Sequence, residues 1–120
     1  MALAQPSLAI ASARRDVLWA DSRNSLGVAR LLVHEGRPET FVATVCRLAV
    51  ESACRAALEH SGLSFDGDLD HALGALDAPP GLLDRMETAR GTERLAATER
   101  AVGWISDYLR GEAPDRSWGF

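Results

Sequence analysis

The chain has 120 residues, 47% of them hydrophobic and 25% charged, with a formal net charge of -4 and a pI near 5.3. That length suits one domain with one modest core, and a mean hydropathy of -0.07 is that of an ordinary globular chain rather than a disordered or membrane-embedded one. No apolar run approaches the roughly 20 residues of a bilayer span, and the negative balance argues against a broad non-specific nucleic-acid surface while leaving room for a local arginine patch.

The N-terminus, MALAQPSLAIASARRD, carries its arginines after its apolar part, the reverse of a signal peptide's order. A cytoplasmic protein is expected. All thirteen basic residues are arginine, a bias of the kind a GC-rich coding genome produces. The apolar positions fit helical spacing and nowhere sustain the period of two that a strand requires. The expectation is an all-α, up-and-down bundle of four to five helices.

Residues 1–13 are alanine-rich and read as a helical arm, with Pro6 tolerated in the first turn. The first main helix is expected from about Arg14 to Glu35, with Leu18, Ser22, Leu26, Ala29, Leu32 and Val33 facing inward and Gly36 ending it. Gly27 inside that helix marks a close helix crossing or a short break.

Pro38 then opens a second helix that Gly62 closes. It is apolar almost all the way round. Its one polar line is Thr40, Thr44, Arg47, Glu51, Arg55 and Glu59, so neighbours are expected to wrap it on every other side. Cys46 and Cys54 lie eight residues apart on it, a rise of about 12 Å and too far for a mutual disulfide. They read as small buried hydrophobes.

A short helix is expected at about Asp68 to Asp77, with Asp66 or Asp68 at its N-cap and the Pro79-Pro80 pair stopping it. A fourth follows at about Pro80 to Arg90, facing inward with Leu82, Leu83, Met86 and Ala89 until Gly91 breaks it. Thr92 is the expected N-cap of a last helix, about Glu93 to Arg110, with a stripe of Leu95, Val102, Ile105 and Leu109 and with Ala101 and Tyr108 beside it. Residues 14–111 thus form the bundle domain. A tail, 112–120, carries Trp118 and Phe120, which need a surface on their own bundle or on a second subunit.

The order of these features resembles the HEPN superfamily of small helical bundles, the higher eukaryotes and prokaryotes nucleotide-binding proteins. The residues that carry the resemblance are Ala29, Leu31, Leu32 and Gly36 in WADSRNSLGVARLLVHEG, Ala49, Glu51, Leu58 and Gly62 in AVESACRAALEHSG, and His71 and Leu73 in DLDHALGAL. It covers about residues 16–110. Such a resemblance implies a HEPN-like bundle, a homodimer, and a nucleotide-like ligand or a protein partner such as a nucleotidyltransferase of a toxin–antitoxin type pair.

Ribonuclease members of that family resemble one another in a late arginine followed, four to six residues on, by a histidine. No histidine follows His71 here, which argues against the activity. Arg55 and His60 match the spacing formally, but chance supplies about one such match in a chain of this composition, and five residues on a helix turn the side chains about 140° apart. An RNA-cleaving toxin using Arg55 and His60 stands as the alternative function.

Arg47, Glu51, Arg55 and Glu59 alternate in charge at i, i+4 spacing. On a solvated face such a ladder contributes a few tenths of a kcal/mol per pair, ~0.3; lining a groove or dimer seam, Arg47, Glu51 and Arg55 would bind an anionic or polar ligand. His71 among Asp66, Asp68, Asp70 and Asp77 admits a metal reading, against which the plainer one, an acidic helix start favoured by the dipole, is preferred. His34 reads as a capping or surface residue of the first helix. The expected function is a non-catalytic, homodimeric helical interaction module with no cofactor and no metal.

Overall fold

A computed structural model of the chain describes residues 4–111, with side chains from Ala13 onward. Among the described residues there are five helices and no strand: α1 (Ala4–His34), α2 (Glu39–His60), α3 (Leu69–Ala75), α4 (Leu82–Thr88) and α5 (Gly91–Leu109). None is long and apolar enough to cross a membrane. The tail carrying Trp118 and Phe120 lies outside the described residues.

Local chemistry sets the ends of these helices. Gly36 and Gly62 both adopt left-handed backbone, at φ of 66° and 74°. Each lets the next N–H turn back to a carbonyl five residues earlier, Arg37 to Leu32 at 2.9 Å and Leu63 to Leu58 at 2.8 Å. This is the glycine-closed helix end expected at both places. Asp77, at φ 58°, closes α3 in the same way, with Ala78 N–H donating to Leu73 at 2.9 Å. Asp68 caps the start of α3 by accepting from the N–H groups of Asp70 and His71 at 2.9 and 3.2 Å.

The helix expected in the arm is present from Ala4 and runs without a break into the first main helix. Two other expectations are corrected. Gly27 neither breaks α1 nor marks a crossing, for it is exposed and no heavy atom lies within 4 Å of where a Cβ would stand. Thr92 does not cap α5, which starts at Gly91 with no side-chain cap from its own N-cap residue, Arg90. The Gly91 N–H donates instead to the Glu39 carboxylate at 2.9 Å, so a side chain from α2 does the capping.

α1 and α2 form a long antiparallel hairpin, locked where the buried Ser22 hydroxyl donates to the Ala49 carbonyl at 2.6 Å. Small residues permit the close approach: Ala29, Ala49, Ala53, Ala56 and Ala57 are all fully buried. α5 packs mainly on α2, α3 packs on α2, and α4 leans on α5. The core joins Val42, Val50, Leu69, Leu76 and Ile105 with both cysteine thiols. Trp104 is buried beside Tyr108, ring centres 6.1 Å apart, and its indole N–H has no hydrogen-bond partner among the described residues.

The wrapping of α2 is incomplete. Phe41 and Leu48 are 58% and 47% exposed, as are Val17, Val28 and Leu31 of α1 to similar degrees. The large hydrophobics left exposed among the described residues lie on α1, on α2, or at Leu63 just beyond α2. The layer of α3, α4 and α5 contributes none of them.

Candidate functional site

The i, i+4 ladder on α2 divides between two places. Arg47, near the middle of the helix, turns to Glu87 on α4 and forms an ion pair there. It borders a small cleft of about 190 Å³ with Thr44, Met86 and Arg94. Arg55, two turns further on, pairs with Glu51 at 3.4 Å along its own helix. Its guanidinium carbon stands 4.8 Å from the centre of the Phe65 ring, in cation–π contact. Of the three residues expected to bind ligand, Glu51 and Arg55 are therefore joined and Arg47 is directed elsewhere.

Arg55 and Phe65 belong to a larger cleft, about 700 Å³, between the first half of α1, the last turns of α2 and the loop after it. Val17, Leu18 and Leu63 give it an apolar lining, and Arg14, Arg55 and Glu59 supply its charge. Two guanidiniums and one carboxylate leave one net positive charge. Arg14 reaches across from α1 to Glu59 at 3.0 Å, and Arg15 Nη1 lies 3.2 Å from His60 Nδ1 in the next contact along. The Schellman turn at Gly62 is what swings Leu63, Ser64 and Phe65 back to form the third wall.

The volume and composition suit a small ligand. Cavities of roughly 300–1,000 Å³ with an apolar lining and a few polar groups are typical of ligand pockets. A planar ring can stack against Phe65 or the Arg55 plane, and the arginine fork favours an oxyanion. Arg14, Phe65, Leu63 and Val17 were missing from the sequence-based site. Their only sequence signal is the pair of aromatic and apolar residues directly after Gly62, where a loop kept polar would be the default.

Arg55 and His60 enter separate sets of contacts, Arg55 with Glu51 and Phe65, His60 with Arg15. His71 Nδ1 lies 3.1 Å from Asp66 and 3.8 Å from Asp68 at the exposed start of α3. The Asp66 carboxylate raises the His71 pKa, and the Asp68 N–H followed by His71 lowers that of Asp66. Among the described residues no group of three or more His, Cys, Asp or Glu side chains is placed to hold a metal ion. Burial pushes the Cys54 thiol up to about 12 and raises that of Cys46 as well, so neither is poised as a nucleophile.

Comparison with known proteins finds no matching family model, no matching curated protein and no matching solved structure.

Proposed function

We propose that the protein is a non-catalytic helical interaction module, HEPN-like in its arrangement and homodimeric, which binds a nucleotide-like ligand in the cleft between α1 and α2. One observation carries the reading: Arg55 lies over Phe65 with Arg14 on the facing helix, an aromatic plane and two guanidiniums around one apolar cleft. A nucleobase stacks on the aromatic and guanidinium planes, and Glu59 accepts from its exocyclic amine. The phosphate takes the two arginines, which exchange their bonds to Glu51 and Glu59 for stronger bonds to a dianion.

The resemblance of the helix order and small-residue pattern to HEPN proteins supports the same ligand class, and a cytoplasmic partner such as a nucleotidyltransferase fits it. The RNA-cleaving alternative has weaker support, since Arg55 and His60 are held in different contacts.

The test is thermal denaturation against a panel of mononucleotides. Ligand at a hundredfold its Kd stabilises a folded protein by about 2.7 kcal/mol, which for a domain of this size raises Tm by roughly 10 °C. Absence of any shift with millimolar nucleotide of every base and phosphate number contradicts the reading.

A further inference from the structure

We propose that the cleft between α4 and α5 binds a small zwitterion of the amino-acid type with an aliphatic side chain. This cleft shares no residue with the Arg55–Phe65 cleft, so the proposal stands or falls independently of the nucleotide reading.

Helical spacing turns one stripe of each element to the cleft. Glu93, Ala96, Ala97 and Arg100 stand at i, i+3, i+4 and i+7 on α5, a single face of the helix. Leu82 and Arg85 of α4, with Ala89 at its C-cap, line the other side at i, i+3 and i+7. Longer apolar side chains in the middle of the α5 stripe would close the gap. Alanines stand there instead, and a space of about 240 Å³ is left between the helices. Buried Leu82 gives it an apolar floor.

The charges sit at the ends of that stripe. Glu93 and Arg100 are seven residues apart, a rise of about 10 Å, with the two alanines between them. Side chains on a helix tilt toward its N-terminus, so Arg100 leans over the alanines in the direction of Glu93. Arg85 adds a second guanidinium from the facing helix. All three are exposed, and neither Glu93 nor Arg100 forms an ion pair among the described residues. A ligand therefore meets both without breaking a bond between them.

A carboxylate at one end, guanidiniums at the other and methyl groups between make a bipolar pattern that discriminates among ligands. A nucleotide fits poorly, because Glu93 repels its phosphates and the volume lies below the roughly 300–1,000 Å³ of drug-sized sites. A simple carboxylic acid leaves Glu93 unanswered, and a simple amine leaves the arginines so. An amino acid answers both: its carboxylate accepts from the Arg100 fork with Arg85 alongside, and its ammonium donates to Glu93. An aliphatic side chain then covers Ala96, Ala97 and Leu82 and removes their methyl groups from water.

The test is an NMR titration of the whole, nitrogen-15-labelled chain with three probes: leucine, its deaminated acid 4-methylpentanoate and its decarboxylated amine 3-methylbutylamine. Leucine is expected to give saturable shifts at the amides of Ala96, Ala97 and Arg100, and each analogue to bind at least about fivefold more weakly. Glu93→Gln is expected to remove the preference for leucine over the acid, while Arg100→Gln weakens leucine and the acid alike; both sites are exposed, and unchanged helical circular dichroism checks the fold. No saturable shift at tens of millimolar leucine overturns the proposal. So do analogues that bind as tightly as leucine, leucine affinity unchanged in both variants, or shifts confined to the surroundings of Arg55 and Phe65.

Discussion

Arg94 on α5 and Glu39 at the start of α2 are joined by a 2.9 Å ion pair that ties three helices together. Arg94 is buried, and it also donates to the carbonyls of Met86 and Glu87 in the last turns of α4, both at 3.0 Å. Glu39 in turn accepts from the Gly91 N–H at the start of α5. One ion pair thus satisfies orphan groups at a helix C-terminus and a helix N-terminus. Removing either partner leaves the other desolvated, and breaking such pairs costs about 3–5 kcal/mol. Because Glu39 keeps a third of its side-chain exposure, Arg94→Met is expected near the lower end. Arg94→Lys restores one charge and none of the fork, so it recovers less than half. Urea denaturation of the two variants measures this.

Gly27 and Gly103 sit within α1 and α5, both exposed, with open space where a Cβ would go. Alanine at an exposed helical position is better than glycine by about 1 kcal/mol. Gly27→Ala and Gly103→Ala are each expected to raise the urea midpoint, and additively, since they lie on different helices. A loss of stability at Gly27 would restore the close crossing that the sequence suggested there.

The Asp66–His71 pair makes the start of α3 pH-dependent. His71 has a raised pKa in the folded chain, so its contribution is complete below the ordinary value of 6.5 and is lost as pH climbs through the raised one. Asp66 is lowered, so its contribution is present above 3.8 and is lost as pH falls through the lowered value. The cap is therefore firmest between those two ordinary values. An NMR titration is expected to place His71 above 6.5 in the wild type and closer to it in Asp66→Asn.

Both thiols are fully buried, Cys54 with a pKa of about 12. At pH 8 the native protein is expected to react with a thiol reagent only as fast as it opens, and completely in guanidinium. Fast labelling of the native protein would show that the α2 core is looser than its packing.

Much of the bundle was legible because its boundaries are written in local chemistry. Gly36 and Gly62 supply left-handed turns, Asp68 caps α3, and the apolar positions of α2 repeat at helical spacing. On α5 the expected stripe is buried at Val102 and Ile105 and half-buried at Leu95 and Leu109, and Ala101, expected beside it, is buried as well, but Arg94, Thr98 and Trp104 share the buried face without having been expected there. An arginine in a stripe reads as solvent-facing until its partner is known, and Glu39 lies 55 residues away. The cleft was hidden for the same reason. The i, i+4 ladder was visible, but Arg14 and Phe65 join Arg55 only through the hairpin geometry and the turn at Gly62.

Isothermal titration of a mononucleotide into the wild type, Arg55→Ala, Phe65→Ala and Arg47→Ala tests the central claim most directly. Saturable binding is expected in the wild type and in Arg47→Ala, whose side chain turns away to Glu87. Arg55→Ala and Phe65→Ala are expected to weaken it at least tenfold, about 1.4 kcal/mol. Equal affinity in all four proteins, or no binding to the wild type, would contradict the assignment of the Arg55–Phe65 cleft.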